Sequence, residues 1–184
     1  MQSFPFAHRL GSQPRFLTLT KWQDEDRIDI REWDETGTYP SKKGISLPIR
    51  RWNTLCSMFE DVNEAREKMI HKIHKQYIVF KPGNSVKVDL HIGGLVFVKA
   101  ESGFPCIDIR QYWVPEGESV PKPTKKGISL CQEEWDSLVL CQKKLNEEFP
   151  FIKEIPTCLE SEDHQNQEGM LNCPECNPAE RNQW

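Results

Sequence analysis

SKKGISLPIRRW runs from Ser41 to Trp52, and TKKGISLCQEEW runs from Thr124 to Trp135. A pair of lysines, a glycine, a short β-compatible apolar run and a tryptophan occur twice, in the same order. The correspondence extends upstream, where RIDIREW (Arg27–Trp33) is matched by CIDIRQYW (Cys106–Trp113). The two IDIR blocks lie 79 residues apart and the two KKGISL blocks 83 apart. The four extra residues fall in the connection between the blocks, and surface connections absorb insertions that packed elements do not. The chain is therefore an internal duplication, and its fold is read one copy at a time.

In the first copy, RFLTLTKW (Arg15–Trp22) alternates Phe16, Thr18, Thr20 and Trp22 against Leu17, Leu19 and Lys21. RIDIREW sets Ile28 and Ile30 opposite Asp29 and Arg31. Alternation with a period of two predicts half-buried strands. DETGTYPS (Asp34–Ser41) is dense in turn residues, and KKGISL follows as a further strand. After Pro48 the period changes: Trp52, Leu55, Phe59, Val62 and Met69 mark one face of an amphipathic helix, with Pro48 suited to its first turn. The second copy repeats the order. Strands VKVDLHI, GLVFVKA and CIDIRQYW precede the loop VPEGESVPKPT, the strand KKGISL and a helix with Trp135, Leu138, Gln142 and Leu145 on one side.

The expected fold class is α+β: two tandem units, each a curved four-stranded antiparallel sheet followed by one α-helix that covers its apolar face. The boundaries read as a flexible N-terminal segment over 1–14, a first unit over 15–76, a second over 77–150, and an acidic, disordered tail over 151–184. KPGNS (Lys81–Ser85) marks the junction of the units. A unit of this size alone buries only about 60% of its unfolded surface. Two copies sharing an interface relieve that weakness, which predicts an intramolecular pseudo-dimer.

The formal charge of −4 resides in the tail, which carries −5; residues 15–76 carry +1 and 77–150 carry −1. No run of 18 apolar residues is present, so no membrane association is expected, and MQSFPFAHRLGSQP lacks the apolar centre of a signal peptide. The seven cysteines are odd in number and fall at non-equivalent places in the repeats. That argues for reduced thiols in the nucleus or cytosol.

With these blocks in view, IDIRQYW–VPEGE–KKGISL–EEWDSL closely resembles the C-terminal domain of the positive cofactor 4 family of RNA polymerase II transcriptional coactivators. RFLTLTKW–RIDIREW–KKGISL–RRWNTL resembles the same domain. The resemblance covers roughly residues 15–75 and 85–149. It implies paired units whose sheets bind single-stranded or melted DNA, here with both halves of a pair in one polypeptide. It further implies nuclear localisation and partners in the transcription machinery.

Single strands are held by cations along the phosphates together with flat side chains on which bases stack. By resemblance, Trp113 matches the exposed stacking tryptophan and Tyr112 the buried ring beside it. In the first copy Trp33 aligns with the buried ring and Asp34 with the stacking position. Trp22 aligns with an aromatic that the family uses against bases, whereas Glu101 stands there in the second copy. Lys42, Lys43, Lys125 and Lys126 match the family's phosphate-contacting lysines, and Lys122 adds a cation from the loop. Arg31 and Arg110 complete the candidate DNA-binding set. The acidic stretch Gln23–Asp26 replaces a basic turn and weakens phosphate binding at that lip. Each half has thus lost a different part of the surface, so the competing reading is a protein-interaction scaffold that keeps the fold but not the DNA affinity.

Trp52 and Trp135 read as helix anchors, and Asp29 and Asp108 as partners of basic neighbours. No nucleophile–base constellation, phosphate loop or HExxH helix is present, so no enzyme is expected. No cofactor or metal is expected either. CPEC (Cys173–Cys176), with Cys158 and His164 upstream, contains the donors of a tetrahedral site, but a single CxxC in an acidic tail reads as incidental.

Overall fold

The computed structural model describes residues 4–76, 87–101, 104–164 and 166–178. The KPGNS junction, the side chain of Met69 and the end of the tail lie outside these residues. The first repeat is a four-stranded antiparallel sheet in sequential order: β1 (Phe6–Arg9), β2 (Arg15–Trp22), β3 (Glu25–Trp33) and β4 (Pro40–Pro48). The second repeats it with β5 (Lys87–Gly93), β6 (Val96–Glu101), β7 (Phe104–Trp113) and β8 (Lys122–Leu130). The alternation acts as expected: Ile28, Ile30, Ile107 and Ile109 are buried, and the intervening Asp29, Arg31, Asp108 and Arg110 face outward, half-buried.

The N-terminal segment departs from expectation. Residues 1–14 read as flexible, yet Phe6–Arg9 pairs with Phe16–Leu19 and supplies the first repeat's outer strand. Phe6 and Leu10 are buried in the core. Four residues are too few for alternation to register, and the strand is stabilised by its neighbour β2.

The duplicated glycine has a steric origin. Gly44 adopts φ 153° opposite Arg31, and a Cβ there would stand 2.7 Å from Arg31 Cα; one on Gly127 would stand 2.8 Å from Arg110 Cγ. Both glycines lie where the register shifts, between Arg31 and Trp33 and between Arg110 and Tyr112. Only a residue without Cβ lets the strands approach so closely.

The helical part of the first repeat is divided. Helix α1 (Ile49–Ser57) ends at Met58, whose amide bonds back to Leu55 O at 3.0 Å, and α2 (Phe59–Gln76) starts anew. The restart places Phe59 between the two duplicated tryptophans, with ring centroids 6.1 Å from Trp52 and 5.3 Å from Trp135. The second repeat carries α3 (Gln132–Glu148), which buries Trp135, Leu138, Cys141 and Leu145; Cys141, not Gln142, lies in the apolar stripe.

Both repeats contribute to one hydrophobic core. Trp52 and Trp135 are fully buried, but they do more than anchor each helix to its own sheet: Trp135 Nε1 donates to Asn63 Oδ1 of α2 at 2.8 Å. Arg15 reaches across to Glu134 Oε2 at 2.9 Å and Ser129 O at 2.7 Å. Glu134 is only 2% exposed and also accepts from the Cys131 amide, capping α3.

The described residues of the tail, 151–164 and 166–178, form regular elements where disorder was expected. They form α4 (Phe151–Glu154), two 3-10 turns at Cys158–Glu160 and Glu162–His164, and α5 (Gln167–Asn172). Ile152 enters the common core. Asn53 Nδ2 of α1 donates to the carbonyls of Ile152 and Ile155, both at 2.7 Å. Among the described residues, no helix is long and apolar enough to cross a membrane.

Candidate nucleic-acid interface

The side chains on the outer face of the first sheet line a groove of about 440 Å³, bounded by Thr18, Thr20, Trp22, Arg27, Asp29 and Arg31, with Ser46 beneath. Trp22 ends β2 at the hairpin tip and is 60% exposed. The two loop residues Gln23 and Asp24 have φ of 50° and 60°, the left-handed pair of a tight two-residue hairpin. The turn projects Trp22 beside Lys21 but also exposes Asp24 and Glu25.

The arginines of the IDIR blocks are not free cations. Arg110 clasps Asp108 through Nε and Nη2 at 2.9 and 2.8 Å, while Nη1 donates to Thr124 O at 2.9 Å. Arg31 is held in the same way, to Ser41 O at 3.1 Å and to Asp29 at 3.5 Å. Ser129 donates to Asp108 at 2.7 Å. In the first repeat Arg27 captures the equivalent Ser46, with Nε to Oγ at 2.9 Å, and one oxygen of Asp29 is left buried without a partner. Cys106 occupies the position equivalent to Arg27, which explains the difference.

The lysines are more available. Lys42, Lys125 and Lys126 are exposed, in the register shifts at the start of β4 and β8. Lys43 Nζ lies 3.2 Å from Glu32 but remains 77% exposed, and Lys122 lies 2.6 Å from Glu118.

Tyr112 is buried and Trp113 is 52% exposed. Tyr112 does not belong to the common core. It packs on the outer face against Phe97, centroids 5.1 Å apart, with Lys99 Nζ 4.4 Å above its ring. Trp33 is likewise covered on the outer face, by Phe16 at 4.6 Å and Phe4 at 5.4 Å. Alternation sets Trp113 on the opposite side of β7 from Arg110 and Tyr112, so Arg110 and Trp113 do not present one surface. Trp113 instead shares a rung with Lys122. Trp22 and Arg31, by contrast, border one groove.

Two groups were missed by the sequence reading. Tyr39, 60% exposed, stands across the hairpin from Asp34, on the rung that Lys122 shares with Trp113 in the second repeat. The aromatic and polar members of that rung have exchanged strands. Asp34 organises the turn that displays Tyr39: Oδ1 accepts from the amides of Thr38 at 2.7 Å and Tyr39 at 3.0 Å, and Oδ2 from the Thr36 hydroxyl at 2.8 Å. These bonds, the Tyr39 amide foremost, hold its carboxyl below the usual range. The second group is Phe97 with Lys99, which stand where the first repeat has Phe16 and Thr18. The spacing of 83 between the KKGISL blocks, which sets Tyr39 against Lys122, was the signal for the first.

The family model of the transcriptional coactivator p15 (PC4) matches residues 10–58 and 101–140, one segment in each repeat. The RNA polymerase II transcriptional coactivator KIWI of Arabidopsis thaliana is 41% identical over 56 residues, 29% of this chain and 52% of the relative. The match thus spans about half the length of that curated protein. No solved structure matches significantly. A doubled sheet-and-helix unit, the IDIR and KKGISL blocks on equivalent strands and these two matched segments lead to one statement: the chain is a member of the positive cofactor 4 family.

Proposed function

We propose that this protein is a nuclear transcriptional coactivator that binds single-stranded or melted DNA, its two repeats acting as the two halves of one binding unit. The observation that supports this reading is the recurrence, in both repeats, of an exposed ring on the hairpin that leads into an exposed lysine pair: Tyr39 ahead of Lys42 and Lys43, and Trp113, across from Lys122, ahead of Lys125 and Lys126. Stacking on such rings is tolerant of sequence, and the lysines supply the phosphate attraction. Arg31 and Arg110, tied to Asp29 and Asp108, fix the strands that carry this surface. Partners in the transcription machinery follow from the same reading. No catalytic role is assigned.

The test is a fluorescence anisotropy titration of labelled oligo-dT at low and moderate salt. Binding that weakens steeply with salt supports the proposal. Lys125→Ala with Lys126→Ala lowers both the affinity and its salt slope, whereas Trp113→Ala lowers the affinity alone. Absence of binding at low salt favours the second reading, an interaction scaffold. Its support is the self-neutralised arginines and the acidic residues Glu25, Asp34 and Glu101.

A further inference from the structure

Outside the two sheets, Cys158, His164, Cys173 and Cys176 bring one ligand atom each to a single point, all within 4.8 Å of one another. Cys158 Sγ is 3.2 Å from Cys173 Sγ, 3.6 Å from Cys176 Sγ and 3.3 Å from His164 Nε2. A tetrahedral zinc with Zn–S of about 2.3 Å and Zn–N of about 2.0 Å separates its donor atoms by roughly 3.5 Å. We propose that these four residues form a structural zinc site that fastens the C-terminal segment across both repeats.

The donor set is complete. Three thiolates and one imidazole close a tetrahedron and leave no open position, which fits a structural role and not a catalytic one. Soft sulfur donors favour zinc over magnesium or calcium. A disulfide between two of the cysteines would leave a third sulfur and an imidazole gathered there for no reason, whereas one ion uses all four. The CPEC turn closes beside the site through Asn177 N to Cys173 O at 2.9 Å. On binding, each ligating thiol loses its proton to solvent while His164 binds as neutral imidazole through Nε2. The finished site carries a net charge of −1, and its formation releases protons.

The site's placement gives it a purpose. Glu175, between the two cysteines of CPEC, receives Arg51 Nε and Nη2 of α1, both at 2.6 Å, while its carbonyl accepts the Gly94 amide of the β5–β6 turn at 3.0 Å. One residue of the knuckle thus holds the first repeat by its side chain and the second by its backbone. A Cβ on Gly93 would run into the Glu175 carboxylate, and one on Gly94 into the Arg51 guanidinium. The segment's helices are too short to hold this geometry by themselves.

The experiment is native mass spectrometry of the full chain, purified under reducing conditions from zinc-supplemented cells. One zinc per chain is expected, and none in the Cys173→Ser, Cys176→Ser double variant. Because that variant risks misfolding, wild-type protein is also stripped with a chelator and titrated with cobalt(II). The visible absorption of tetrahedral thiolate cobalt should saturate at one equivalent. A wild-type chain that takes up neither metal overturns the proposal, as does zinc retained by the double variant. So does a loss of two hydrogens that marks a disulfide in the reduced preparation.

Discussion

Asp34 shows how one residue redirects a surface. Where the second repeat has Trp113, the first has a carboxylate that bonds the amides of Thr38 and Tyr39 and offers Tyr39 to solvent from the opposite strand. Tyr39→Ala should therefore weaken oligo-dT binding by about 1–3 kcal/mol, the range for loss of one stacked base, without changing the salt slope. A variant indistinguishable from wild type in the anisotropy titration would confine the stacking to Trp22 and Trp113. His8 provides a residue-scale test of the packing between repeats. Its Nε2 lies 3.2 Å from Ser137 Oγ of α3, and burial, with the nearby Lys144 charge, depresses its pKa below 6.5. The unfolded chain then binds the proton more readily than the native one. His8 thus contributes stability above 6.5 that is lost as the pH falls below that value. His8→Gln should flatten this part of the dependence of the urea midpoint on pH; an unchanged slope would show that His8 titrates alike in both states.

At the scale of elements, the C-terminal segment decides most. Its elements are three to six residues long, so none displays a period, and its charge alone reads as disorder. Its anchors are single residues whose partners lie far away in sequence: Ile152 in the core, Asn53 on its carbonyls and Arg51 on Glu175. Ile152→Ala should cost about 2–5 kcal/mol, as buried aliphatic truncations do. Deleting residues 151–184 should destabilise the whole chain in a urea titration at least as much. A truncated chain with an unchanged midpoint would mean that the segment rests on the repeats without supporting them. The N-terminal strand β1 follows the same logic, being too short to be read and fixed by β2.

At the scale of the whole molecule, the repeats are two sheets with one core between them. Phe59 sits between Trp52 and Trp135, and the Arg15–Glu134 pair crosses from one repeat to the other. Each contact satisfies a group that a lone repeat would leave bare. Sedimentation of the 21.5 kDa chain at micromolar concentration should accordingly give a monomer. A dimer as the smallest species would mean that the faces between repeats are also used between chains. Glu134→Gln removes the charge opposite Arg15 and should cost about 1.5–3 kcal/mol, the usual value of a hydrogen bond to a charged group. The loss should appear as one cooperative transition shifted in its midpoint, because both repeats share the contact.

The sequence by itself determined the duplication, the strands of period two, the following helices and the family, because these depend on the spacing of apolar residues and on local backbone preference. KKGISL carries its own steric explanation, since the glycine is needed wherever that strand meets IDIR. Tertiary structure alone decided that Tyr39 takes the rung of Trp113, that Arg15 crosses to Glu134, and that the described part of the tail forms regular elements. It also gathered Cys158, His164, Cys173 and Cys176 from 19 residues of chain to one point. Pairing between side chains depends on direction and distance in the folded chain, and a sequence records only their order.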